Sequence, residues 1–212
     1  MTTAPRIIIH AGFHKTGTTS LQGFLSRNRA ALAPHATIYI KTDLGPARYL
    51  GRWYGQRPVF WRRWLFRAGW RRFLRSIPAS PVIIISRESL SGMMPGFRRH
   101  GRTVTGYEGS AIPLAREIVT GLRQRFGPDC QIEFLYTLRE GESLLRSLHG
   151  HILRSSPLTE DWPEFRARFP DAPDLGTEAA QIAKAIAPVP VHSAWLEDLV
   201  RHPHGPGGAI TD

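Results

Sequence analysis

Cysteine, lysine and, over one long stretch, acidic residues are what this sequence has little of. Its 212 residues contain a single cysteine, Cys130. That excludes an internal disulfide and fits a reducing compartment, so a cytoplasmic protein is expected. No apolar run approaches the length of a bilayer span. The first one, Ile7–Ile9, leads straight into a glycine loop and does not look like a secretory leader. No His, Cys, Asp or Glu set has metal-ligand spacing, so no metal is expected. Lysine occurs only at positions 15, 41 and 184, and the other 25 of the 28 basic residues are arginine. No acidic residue occurs from Leu44 to Arg87. The formal charge of +11 predicts an anionic partner, whether nucleotide, acidic substrate, nucleic acid or lipid headgroup.

What is present is enough for one α/β domain. Hydrophobic residues make up 42% of the chain, sufficient for a core at this length. The organising stretch is Ile7-Ile8-Ile9-His10-Ala11-Gly12-Phe13-His14-Lys15-Thr16-Gly17-Thr18-Thr19-Ser20. A β-branched run ends in a small-residue loop, and Leu21, Phe24, Leu25 and Leu32 then recur at helical spacing. A strand–loop–helix junction of this kind binds anions. The first N–H groups of the helix lack intrahelical partners, and the macrodipole adds positive charge there. Gly12 and Gly17 allow the backbone to close on a ligand. Thr16, Thr18, Thr19 and Ser20 offer hydroxyls, and Lys15 offers a full charge. In a chain that otherwise uses arginine, a lysine here is a compact point charge where a guanidinium fork would not fit.

The nucleotide loop G-x-x-x-x-G-K-[ST] places its lysine after the last glycine. Here the lysine comes first, in Lys15-Thr16-Gly17-Thr18-Thr19-Ser20. That order resembles the 5'-phosphosulfate loop of sulfotransferases that use 3'-phosphoadenosine-5'-phosphosulfate (PAPS). The longer form H-x-G-x-x-K-T-G-T-T-S-L-Q, His10 to Gln22, is similar to bacterial members of that family.

Along the chain, strands are expected at Arg6–His10, His35–Lys41, Pro81–Ser86, Gln131–Leu138 and Pro188–His192. Helices are expected at Thr18–Leu32, Val59–Ser76, from Ser110 to Phe126, Glu142–Arg154, Trp162–Phe169, Leu175–Ile186 and Trp195–Arg201, with a loop over Gly92–Arg102. Strands alternating with helices predict a three-layer α/β/α fold around a mostly parallel sheet of about five strands, P-loop-like in kind. Between Arg52 and Arg75 lie eight arginines and four of the six tryptophans. Phe60, Trp61, Trp64, Leu65 and Ala68 fall at helical spacing, with Arg62, Arg63, Arg67 and Arg71 off that stripe. The ordinary reading is a surface helix that buries its aromatic face. The functional readings are an acceptor-site wall, a lid, or a contact with an anionic surface.

Ligands of open α/β sheets sit at the carboxyl ends of strands. Three strand ends carry suitable groups: the Lys15 loop, Ser86-Arg87-Glu88, and Arg139. The segment from Tyr136 to Ser147 resembles the sulfotransferase 3'-phosphate site, an arginine at a strand end and a serine eight residues on. Eight helical residues turn through about 80° net, so Arg139 and Ser147 can share a side. The alternative for Arg139 is a solvated cap or an ion pair with Glu140 or Glu142. Ser86-Arg87-Glu88 resembles the base-bearing strand end of carbohydrate sulfotransferases. The alternative for Glu88 is a helix cap paired with Arg87. Since many soluble sulfotransferases use histidine as base, His10, His14, His100, His149 and His151 are rivals.

The resemblance implies that Lys15 and Glu88 are catalytic. It also implies that His14, Lys15, Thr16, Gly17, Thr18, Thr19, Ser20, Arg139 and Ser147 bind PAPS, the co-substrate, with no metal. The acceptor would bear a hydroxyl and is a glycan or other small molecule; no specific nucleic acid is expected. Family members continue past the last strand through a helix and a glycine-containing lid. Here His202-Pro203-His204-Gly205-Pro206-Gly207-Gly208 follows, so residues 1–212 are expected to form one sulfotransferase-like domain without that helix and lid. Two other classes stay open. One is a P-loop kinase or NTPase, with Thr16 as the metal-binding hydroxyl. The other is a non-catalytic binder of nucleic acid or anionic membrane through residues 52–75.

Overall fold

The computed structural model describes residues 4–99, 101–155 and 159–211. His100, one of the candidate bases, lies outside them. The central sheet has five parallel strands: β1 (Arg6–His10), β2 (Thr37–Tyr39), β3 (Val82–Ser86), β6 (Gln131–Leu138) and β7 (Val191–Trp195). Their spatial order is β2-β3-β1-β6-β7. A small antiparallel hairpin, β4 (Arg98–Arg99) with β5 (Arg102–Thr103), lies apart from it.

The isoleucine runs explain the layering. Successive side chains of a strand alternate between faces. Ile7, Ile9, Ile83 and Ile85 enter the larger core, and Ile8 and Ile84 enter the smaller one. The larger core is closed by α4 (Phe60–Ser76), α5 (Glu108–Phe126), α6 (Gly141–Ser155) and α8 (Leu175–Ile186). α3 (Ala47–Gln56) and α7 (Trp162–Arg166) complete that side. The smaller core is closed by α1 (Thr18–Arg27) together with a 3-10 turn, Gly205–Ile210. The result is the three-layer α/β/α arrangement, with the sheet fully parallel. Each fully buried isoleucine contributes about 1.5–3 kcal/mol, which anchors the strands that carry the loops. Among the described residues no helix is long and apolar enough to cross a membrane.

Several expectations shift. The helix expected over Thr18–Leu32 breaks at Asn28, whose side chain donates to the Phe24 carbonyl at 2.9 Å and so competes with the next helical turn. A four-residue helix, α2 (Arg29–Leu32), follows. α3 was not expected at all, and the loop over Gly92–Arg102 contains β4 and the start of β5. The last strand is Val191–Trp195 rather than Pro188–His192, because Pro188 and Pro190 have no N–H for a ladder. A four-residue helix, α9 (Leu196–Leu199), follows it.

The stripe Phe60, Trp61, Trp64, Leu65 and Ala68 is not the buried face of α4. Phe66, Trp70, Phe73 and Leu74 are buried instead, and Trp70 donates to the Ile118 carbonyl of α5. Phe60 is 86% exposed and Trp64 62%.

Candidate active site

β1 ends at the sheet centre, and the loop after it is built by its own buried polar groups. His10 Nδ1 lies 2.8 Å from Ser86 Oγ at the end of β3. On the other side its ring faces Thr137 of β6, and Thr137 Oγ1 lies 2.7 Å from Thr16 Oγ1. Thr16 Oγ1 also donates to the Phe13 carbonyl at 2.7 Å, and Thr18 Oγ1 donates to the same carbonyl at 3.1 Å. The hydroxyls of Thr16 and Thr18, expected to face the ligand, therefore close the loop on itself, and that of Thr16 also ties it to β6. Burial holds the His10 imidazole neutral, with its pKa lowered to about 4 against the pull of Glu88. His10 is thus a structural residue at this junction.

Two residues bend the chain into α1. Lys15 is the one described non-glycine residue at positive φ, 68°. Gly17 follows at φ 90°, and a Cβ there would come within 2.8 Å of Leu196 Cδ1. Gly17 is the N-cap of α1 and supplies no side-chain cap. The first-turn N–H groups of Thr18, Thr19 and Ser20 are therefore presented to a cleft at the carboxyl edge of the sheet.

That cleft has a volume of about 680 Å³, within the range of small-molecule sites. Lys15, Arg139 and Ser147 line it on one side, and Arg87, Glu88 and Arg52 on another. All three chemistry-bearing strand ends expected from the sequence meet here. Arg139 Nη1 donates to the Lys15 carbonyl at 3.0 Å, and its Nε donates to Ser143 Oγ at 2.9 Å. Arg139 is therefore braced against the loop, and neither Glu140 nor Glu142 ion-pairs with it among the described residues. Burial lowers the Lys15 pKa, and the charges of Arg154 and Arg139 lower it further.

On the opposite side, the Glu88 carboxylate accepts from Arg87 Nη1 and, at 3.1 Å, from Gln22 Nε2. Gln22 also donates to the Ser86 carbonyl, which gives the last position of the loop motif its task. Burial would raise the Glu88 pKa. Arg87, His14, its own N–H and Gln22 together outweigh that and hold it below the usual carboxylate range. Glu88 is an ionised carboxylate that faces the cleft, and it makes no side-chain cap. His14 stacks on Tyr107, whose hydroxyl accepts from the His14 N–H at 2.8 Å. Burial lowers the His14 pKa to about 4, opposed by Glu88 and reinforced by Arg87, Arg52 and His151. His151 also lines the cleft. His149 is elsewhere, packed on Phe165 with its Nε2 3.1 Å from the Glu160 carbonyl.

Arg52 and Lys41 of the cleft were not read from the sequence. Arg52 is placed by α3, whose Gly51 and Gly55 lie against the backbone of Ser89 and of Gly92-Met93. A Cβ at either glycine would overlap that backbone. Ser89 Oγ donates to the Arg48 carbonyl at 2.6 Å and locks the contact. The signal was the pair of glycines four apart, one turn of helix, inside an arginine-rich stretch. Among the described residues no group of three or more His, Cys, Asp or Glu side chains could hold a metal ion.

The fold and cleft define an α/β protein with a glycine-containing loop at the centre of a parallel sheet, helix N–H groups facing a cleft, and cationic side chains around it. No protein-family model matches the sequence, and no curated protein matches it. Among solved structures the chain is similar to one from Chloroflexus aurantiacus described as a "putative kinase". The identity is 13% and the TM-score 0.49, over 97% of this chain and 93% of that one. That likeness carries no argument about activity.

Proposed function

We propose that this protein is a sulfotransferase that moves a sulfuryl group from PAPS to a hydroxyl acceptor, with a glycan as the candidate acceptor. The observation that carries the reading is Arg139 bound to the carbonyl of Lys15 while lining the same cleft. A second position for an anion then lies beside the loop, as a nucleotide with both a 5'-phosphosulfate and a 3'-phosphate requires. In this reading the amides from Thr16 to Ser20, Gly17 included, hold the 5'-phosphate, with His14 beside them. Arg139 and Ser147 hold the 3'-phosphate through a charge-assisted bond and a hydroxyl. PAPS supplies the sulfuryl group. The acceptor oxygen forms a bond to sulfur as the bond from sulfur to the phosphate oxygen breaks. The electron pair leaves on adenosine 3',5'-bisphosphate, and Lys15 neutralises the charge that builds there. The acceptor proton passes to Glu88, which is ionised and faces the cleft.

The kinase reading needs a metal-binding hydroxyl directly after the lysine. Thr16 stands there, and its hydroxyl is donated to the Phe13 carbonyl. That observation favours the sulfotransferase reading. A thermal-shift comparison of PAPS, adenosine 3',5'-bisphosphate, ATP and ADP, with and without magnesium, tests it. The first two should stabilise the protein without metal. At a hundredfold excess over Kd the gain is about 2.7 kcal/mol, or about 5–10 °C. A magnesium-dependent shift with ATP and none with the bisphosphate would overturn the proposal.

A further inference from the structure

The outward face of α4 is unusual in what it leaves in water. Phe60 is 86% exposed, Trp64 62% and Trp61 39%, and all three stand on its first two turns. Trp64 is four residues from Phe60 and three from Trp61, so it adjoins both and the three form one patch. The same face continues with Arg71, Arg72 and Arg75, all exposed. The only ion pairs of α4 among the described residues are those of Arg63 and Arg67 with Glu117. No acidic side chain occurs from Leu44 to Arg87 to neutralise the rest. The core does not use these aromatics, because Phe66, Trp70, Phe73 and Leu74 already fill the inward side.

We propose that this face of α4 docks the protein on an anionic lipid bilayer, with Phe60, Trp61 and Trp64 in the headgroup layer and Arg71, Arg72 and Arg75 on the lipid phosphates. Tryptophan and phenylalanine favour that layer because part of each ring leaves water there while the indole N–H stays hydrated. Arginine supplies the attraction that a neutral interface would not. A surface helix with aromatic residues toward one end and unpaired cations along the rest has the two components that interfacial binding needs. Charge complementarity selects lipid phosphate over a neutral or basic protein partner. The patch is also tied to the cleft. Trp61 packs edge-on against Trp53 of α3 at 5.3 Å, and Arg62 donates to the Trp53 carbonyl at 2.7 Å. The neighbouring Arg52 lines the cleft. The inference does not depend on the sulfotransferase reading.

Flotation of the full chain with phosphatidylcholine vesicles, with and without phosphatidylglycerol, tests it. Binding is expected only to the anionic vesicles. Arg71→Gln/Arg72→Gln/Arg75→Gln should weaken it about 100-fold. Phe60→Ser/Trp64→Ser should weaken it about tenfold or more. These side chains face solvent, so both variants should keep the wild-type melting temperature. Salt at about 0.5 M, where charges are screened within about 4 Å, should release the protein. Adenosine 3',5'-bisphosphate should not release it, which separates this face from the cations of the cleft. Full vesicle binding by the Phe60→Ser/Trp64→Ser variant would overturn the proposal. So would a dimer in solution that the same variant dissolves, or binding to an RNA oligonucleotide but not to vesicles.

Discussion

Replacing Arg139 with alanine gives the sharpest test of the cleft, because the structure already assigns two of its donors. Nη1 is spent on the Lys15 carbonyl at 3.0 Å and Nε on Ser143 Oγ at 2.9 Å. The guanidinium is left with its charge and its remaining N–H groups for a ligand. A charge-assisted bond to phosphate contributes about 1.5–3 kcal/mol. Arg139→Ala should therefore reduce the preference for adenosine 3',5'-bisphosphate over ADP by about 10- to 150-fold. The lost brace on the loop should also cost about 0.5–1.5 kcal/mol of stability. Ser143→Ala removes the acceptor for Nε and leaves the charge, so most of the preference should survive it. Calorimetric titration of both nucleotides into the wild type and both variants separates the two effects. A wild-type preference in Arg139→Ala would refute the assignment of a 3'-phosphate position and reduce Arg139 to a loop brace.

Lys15→Ala should leave the melting temperature unchanged, since alanine meets the same left-handed backbone, and should lower transfer on the order of 10²-fold or more; wild-type turnover would remove Lys15 from the chemistry. Glu88→Gln should keep nucleotide binding and cut the single-turnover rate about 10²-fold. Because Arg87 and its neighbours hold the Glu88 carboxyl low, the wild-type rate should fall only below the usual carboxylate range, and the variant should lack that acidic limb. A normal rate with a lowered melting temperature would pass the base role to a histidine, His14 first. Glu117, with its side chain 2% exposed, accepts from Arg63 and Arg67 at 2.6–2.7 Å. Both arginines are 42% exposed and can rehydrate, so Glu117→Gln should cost about 1–3 kcal/mol, less than a fully buried pair. Burial would raise the Glu117 pKa, but the two arginines lower it overall. Its contribution is therefore complete above the unfolded carboxylate pKa of about 4.3 and is lost as pH falls through the lower folded value. An equal stability difference at neutral and strongly acid pH, measured by urea denaturation, would refute that account.

Sequence and structure agree best where one physical signal acts alone. β1 and β6 have the expected ends because a run rich in β-branched and apolar residues is bounded by turn or helix-start signals on each side. The loop after β1 was legible from its glycines and lysine, and so was the meeting of three strand ends. The use of each hydroxyl was not legible, because Thr16 and Thr19 look alike until the Phe13 carbonyl and Thr137 are in place. α3 was missed because Gly51 and Gly55 weaken a helical reading and have a purpose only against Ser89 and Met93. The orientation of α4 was reversed because two apolar stripes compete on one helix. Trp70 and Phe73 prevail over Trp61 and Trp64 by packing against α5 and β2.

Gly51 and Gly55 make the contact between α3 and the Glu88 turn one of backbone on backbone. Where side chains separate neighbouring elements, they can absorb a small displacement by changing rotamer. Here no such cushion exists, and close-packed interiors transmit strain rather than dissipate it. Between the two glycines, Trp53 is held from outside by Arg62 and Trp61, so the contact is clamped from both sides. A side chain forced in at either glycine would push the carboxylate away from the acceptor without touching a reacting group. It would slow transfer yet leave nucleotide affinity, set on the other wall of the cleft, as it was.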